Sequence, residues 1–194
     1  MTSKIKVNIL ADGGDNAIIT SDGAGSFTAS SGLASSVASV GGLNMTPAFY
    51  AYAGSTQSVG DAAYVKAQIN TEVFDSGGYY DNSTNYRFTP LVAGKYYVFA
   101  ALNHHGGSGN NVQFGGTYIY KNGGNYAGER NNANGSYPEE AMNVFVSCVV
   151  DMNGSSDYLE LYGQTNTISG SNGQWLFDNL AKACYFGAYR ILGA

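Results

Sequence analysis

The chain has 194 residues and a net charge of −5; only 12% of it is charged, while glycine numbers 27 and tyrosine 16. That length supports one full-sized domain plus an appendage, the lack of any lysine or arginine cluster excludes a phosphate-backbone partner, and no stretch approaches the ~20 apolar residues of a membrane span. Nucleic acid and membrane are therefore not expected as partners, and the surface must be built from Asn, Ser, Thr, Gly and tyrosine hydroxyls, which suits β-structure and neutral ligands.

At the N-terminus, MTSKIKVNILADGG lacks the apolar run of a signal peptide. KIKVNIL and NAIIT are short alternating runs separated by ADGGD, and the following SFTASSGLASSVASVGG is small and hydroxyl-rich. Of 26 aromatic residues only Phe27 precedes Pro47, so residues 1–46 cannot build a core alone. They read as an extended, β-rich anchor or stalk that borrows surface from another protein, or as a disordered leader. DGGDNA (12–17) lacks the acidic spacing of an EF-hand.

Residues 47–194 form the expected head domain. PAFYAYA, VKAQINTEVFD, YRFTP, GKYYVFAALN, GTYIYKN, MNVFVSCVVDM, DYLELYGQT and CYFGAYRIL alternate with period two and are bounded by Gly, Asn, Asp or Pro. DNLAKA (178–183) is the one short stretch that could form a helical turn. Eight strands with this punctuation predict an all-β, antiparallel sandwich or jelly roll. Phe74, Phe88, Tyr96 and Val98 are candidates for the core, and Gly77-Gly78 and Ala93-Gly94 for turns.

Alternation sets Val144, Val146, Cys148 and Val150 on one face of their strand and Phe145 and Val149 on the other. It likewise sets Tyr96, Val98, Ala100 and Leu102 against Tyr97, Phe99 and Ala101. A sandwich that is apolar on its outside needs a partner, and a second copy is the simplest one. Cys148 and Cys184 each lie in an apolar run, with neither metal spacing nor the number of a disulfide framework, and read as small buried hydrophobes.

PAFYAYA, then EVFDSGGYYDNSTNYRFTPLVAGKYYVFA (72–100), a late valine-rich strand and YFGAYRIL together resemble the globular head domain of complement component 1q, the jelly-roll family shared with tumour necrosis factor. The likeness covers about residues 47 to 192 and departs from the family block where Asn85 and Tyr86, in place of glycine, follow Thr84. The leading KIKVNIL…AIITSDGAGSF looks like the N-terminal segments of bacteriophage tail-fibre and other virion proteins. Together the resemblances imply a jelly-roll head in a homotrimeric virion surface protein, with the surplus aromatics Tyr97, Phe99 and Phe145 between subunits and other virion proteins bound through residues 1–46. They also allow calcium near the threefold axis, with no residue assigned to it; no other cofactor is expected.

Counting connections from the N-terminal entry places four at the far end: the one after PAFYAYA, the LVAGK turn, NYAGERNNANGSYPEEA (125–141) and TISGSNGQWLFDNLAKA (167–183). The last two are the longest, and long loops on a rigid scaffold usually carry binding. Tyr126, Arg130, Asn131, Asn132, Tyr137 and Trp175 within them suit stacking on sugars and hydrogen bonding to hydroxyls, or fold the loops onto the sandwich. His104-His105 reads as an exposed loop near the proximal end and chelates one metal poorly. The acidic groups Glu72, Asp75, Asp81, Glu139, Glu140, Asp151, Asp157 and Glu160 are scattered, and no enzyme activity is expected. The expected roles are a tail fibre, spike or head fibre that recognises a host-surface glycan or protein, a capsid decoration or cement protein, or a secreted ligand.

Overall fold

The computed structural model describes residues 8–24, 26–30, 45–107, 111–133, 137–177 and 182–191. They divide into one unit ending at Asn44 and another beginning at Met45. Most of the expected hydroxyl-rich stretch and residues 178–181 of the expected helical turn lie outside the described residues.

In the first unit, β1 (Ile9–Ala11), β2 (Ala17–Ser21) and β3 (Phe27–Ala29) form an antiparallel sheet. Its turns are fixed by aspartates. The Asp12 carboxylate accepts from the Gly14 and Asn16 N–H groups at 2.8 and 3.0 Å, and Asp22 accepts from Ala24 and Ser26 at 2.7 and 3.0 Å. These bonds hold both carboxyls below their ordinary range. None of this unit's described residues is buried, and Phe27 is 72% exposed.

The second unit is a sandwich. Its first sheet contains β4 (Ala48–Tyr52), β5 (Gln57–Val59), β7 (Thr71–Asp75), β10 (Ala93–His105), β13 (Ala141–Asn153), β15 (Gly173–Trp175) and β16 (Tyr185–Arg190). β13, β10, β16, β4 and β7 lie side by side, and β15 and β5 continue beside the end of β10. The second sheet runs β12 (Gly124–Asn132), β11 (Val112–Lys121), β14 (Leu159–Thr167), β9 (Arg87–Phe88) and β8 (Tyr80–Asp81), with β6 (Tyr64–Lys66) also paired to β14. All these pairings are antiparallel, and no helix occurs among the described residues.

All eight expected strands are present in this jelly roll, with two corrections. VKAQINTEVFD is two strands, β6 and β7, that pair in opposite sheets; Ala67 and Ile69 are buried in the crossing between them. GNYAGERNN is strand β12 rather than loop. Asn122 and Gly123, with φ of 54° and 79°, close a two-residue turn that returns the chain onto β11 in the pairing Lys121↔Gly124.

Phe49, Tyr80, Phe88 and Phe186 pack at the centre, with the Phe49 ring 4.4 Å from Tyr80 and 4.6 Å from Phe88 between centroids. Val98, Leu102, Ile119, Leu159, Leu161 and Trp175 extend the core, and Val112, Met142 and Val144 form a second cluster. Phe88, Tyr96 and Val98 are thus core residues as expected. Phe74 is instead half-exposed, because the odd pairing step between Tyr50 and Ala51 turns it to the outer side of edge strand β7. Both thiols are free, and burial pushes each up to about 11.

Two strands outside the expected eight, β8 (Tyr80–Asp81) and β12, change which connections share an end. Met45 bonds Arg190, Ile191 bonds Lys95, and Asn122 bonds Tyr158; this gathers the chain entry, the Leu91-Val92 turn, the Asn122-Gly123 turn and the 154–158 turn at one end. Residues 105–107, 137–140 and 168–173 lie at the other. The LVAGK turn is therefore proximal and His104-His105 distal, the reverse of the expectation, whereas residues 137–140 and 168–173 are distal as expected. Leaving out β8, antiparallel to β9, misplaces the connections that follow it, and leaving out β12 as well returns the later ones to the right side.

Candidate functional site

Tyr126, Arg130, Asn131 and Asn132 lie on β12, not on a loop. Alternation divides them. Arg130 stands opposite Gly116 and Asn132 opposite Phe114, on the outer face of the second sheet; Asn131 points to the reverse side, and Tyr126, half-exposed, donates its hydroxyl to the Val149 carbonyl at 3.1 Å. Tyr137 is 75% exposed beyond the strand. Trp175 is corrected from a surface contact to a core residue: it is 1% exposed, and its Nε1–H donates to Thr165 Oγ1 at 3.0 Å. Its place in β15, between β10 and β5, turns the indole into the sandwich.

Arg130 and Asn132 share a groove of about 380 Å³ with Gln113, Phe114, Gln164 and Asn166. The sheet register sets two rows across this face. Phe114 pairs with Asn132 on one side and Asn166 on the other; Gly116 pairs with Arg130 and Gln164. The Arg130 guanidinium lies 4.3 Å from the centre of the Phe114 ring, a cation–π contact that fixes its plane. Gln164 Nε2 donates to the Ala62 carbonyl at 2.7 Å. Sequence alternation missed Gln113, Phe114, Gln164 and Asn166 as site residues; the Asn-Gly signal in KNGGN was the available clue, since a hairpin there brings the Phe114 region beside Arg130.

A second surface lies on the outside of the first sheet. Phe99 is flanked by Tyr97, Tyr50 and Tyr185 at centroid distances of 6.0, 6.1 and 6.2 Å. Phe99, Tyr50 and Tyr185, with Phe49, Phe74, Ala188 and Tyr189, line an apolar trough of about 460 Å³, and Phe145 and Val149 stand half-exposed on neighbouring β13. Burial raises the phenols of Tyr50 and Tyr185 above their ordinary value.

His104 is corrected from an exposed loop residue to a buried strand residue. Its Nδ1 lies 2.7 Å from Thr165 Oγ1 and its Nε2 3.2 Å from Thr117 Oγ1, while Gly115 leaves room for the ring. Burial lowers it to about 3, so the ring is neutral. The carboxylates are engaged elsewhere. Glu160 is held by Lys66 at 2.6 Å and Arg87 at 3.3 Å, Asp157 by Lys121 at 2.8 Å, and Asp151 by Lys95. Asp81 accepts from the Ser83, Thr84 and Asn85 N–H groups, which hold it well below the carboxylate range. Among the described residues no three His, Cys, Asp or Glu side chains gather where a metal could sit.

No protein-family model matches the sequence, and no characterised protein matches it significantly. Solved structures do match in fold. Murine APRIL at pH 5.0 is 9% identical with a TM-score of 0.50, covering 74% of this chain and 97% of that one. Eiger TNF from S. frugiperda is 8% identical with a TM-score of 0.52, covering 76% and 93%. The likeness is one of fold, a TNF-like jelly roll.

Proposed function

We propose that the chain is a non-enzymatic recognition head that works as a homotrimer, with the outer face of the first sheet between protomers. The aromatic trough carries this reading. Phe99, Tyr50, Tyr185 and Tyr189 line it, and it continues toward Phe145 and Val149, each about half exposed at 49% and 48%; a face of this kind is stabilised by covering it. Threefold order rests on the resemblance to complement 1q and TNF heads. Residues 1–46 attach the head to a larger particle, and their likeness to bacteriophage virion proteins points to a tail fibre, spike or head fibre that contacts a host surface through parts of the head outside the subunit interface.

Light scattering on the purified chain tests the assembly. The expected mass is that of three copies, falling to one in Phe99→Ser/Phe145→Ser. A wild-type chain that stays monomeric, or a double variant that stays trimeric, overturns the interface.

A further inference from the structure

We infer that the groove between β11, β12 and β14 binds a carboxylate-bearing sugar, Arg130 taking the carboxylate and the surrounding amides the hydroxyls. This deepens, and rests on, the reading of the head as a recognition module.

Four observations carry it. The first is charge: Lys66, Arg87, Lys95 and Lys121 each have a carboxylate partner, whereas Arg130 has none among the described residues and no acidic side chain lines its groove. In a chain with 14 acidic and 9 basic residues, an unneutralised cation inside a concave site favours an anion. The second is preorganisation. Stacking on Phe114 at 4.3 Å restricts the guanidinium before any ligand arrives, which lowers the entropy lost on binding.

The third is the set of neighbouring groups. Gln113, Asn132 and Asn166 make no side-chain hydrogen bond within the described protein, and Gln164 uses only its amide N–H. Each amide offers donor and acceptor side by side, as the vicinal hydroxyls of a sugar require. The fourth is size and number: a groove of about 380 Å³ is at the small end of pockets that hold small molecules. It also holds a single arginine with no second cation, so it matches the one negative charge and planar fork of a carboxylate better than a doubly charged phosphate.

Calorimetric titration of the intact chain with trigalacturonate, and with neutral galactotriose for comparison, tests the assignment. Trigalacturonate is expected to bind saturably and the neutral sugar about tenfold or more weaker. Arg130→Gln is expected to lose about tenfold or more, Arg130→Lys to recover part of that by charge without the fork, and Glu129→Gln, on the reverse face of β12, to bind as wild type. Equal binding of the neutral sugar, an undiminished Arg130→Gln, or no saturable binding of trigalacturonate overturns the site. Light scattering on the same samples separates this from the assembly: a monomer that binds through Arg130 overturns only the trimer, and a trimer that does not bind overturns only the groove.

Discussion

His104 is a titratable group placed where its charged form has no support, and its consequence is a pH dependence of stability. In the unfolded chain the imidazole titrates near 6.5, and in the native protein burial lowers it to about 3. Above pH 6.5 both states hold a neutral ring and nothing is lost. Between 6.5 and about 3 the unfolded state binds a proton that the native state refuses, so stability falls as pH falls, by about 1.4 kcal/mol per pH unit. The turn carboxylates Asp12, Asp22 and Asp81, held below the carboxylate value of 3.8, add their own loss only at lower pH. Urea unfolding between pH 6.5 and 4.5 should therefore show a loss of about 2–3 kcal/mol that disappears in His104→Gln. An unchanged slope in the variant would mean the ring is not the titrating group. Trp175, sharing Thr165 with His104, belongs to the same buried cluster, and Trp175→Ala should cost about 3–5 kcal/mol in the same measurement at pH 7.

At the scale of elements, β14 owes its position to a missing side chain. A Cβ on Gly163 would run into Leu102 Cδ1 and Trp175 Cζ2, both held in the core. A Cβ on Gly124 of β12 would meet only the Lys121 carbonyl, at an ordinary contact distance of 3.6 Å. Gly163→Ala should therefore cost about 1–3 kcal/mol by overpacking, and Gly124→Ala less, because nothing there is overpacked and replacing a strand glycine recovers about 0.5–1 kcal/mol. Comparable losses in chemical denaturation would show that the core around Gly163 yields as easily as the surface. The same contrast explains which elements were legible. β10, β13, β14 and β16 carry large apolar residues at alternate positions, so period two exposes them. β12 is an edge strand exposed along most of its length; no face of it needs apolar residues, and backbone bonds to β11 plus the Asn122-Gly123 turn hold it. Alternation was silent there, and with β12 unseen the groove beside Arg130 had no wall. Trp175 misled for the opposite reason: a lone tryptophan among Gly, Asn and Gln looks like a loop anchor, yet three residues of β15 suffice to carry it inside.

For the whole molecule, the balance of apolar burial decides what folds alone. The core aromatic group Phe49, Tyr80, Phe88 and Phe186 and both hydrophobic clusters lie within residues 45–191, while the described residues of the N-terminal unit bury none. None of the described residues before Met45 belongs to these clusters, whose burial offsets the head's conformational entropy. A chain beginning at Met45 should then unfold cooperatively with the denaturant midpoint of the full-length protein. If the outer face of the first sheet is the interface, the shortened chain should also keep the full-length oligomeric state, because Tyr50, Phe99, Phe145 and Tyr185 all remain. Sedimentation of the two chains side by side distinguishes the outcomes. A shortened chain that folds but sediments as a monomer would move the assembly contacts from the sandwich to the leading segment, and the aromatic trough would then need another partner.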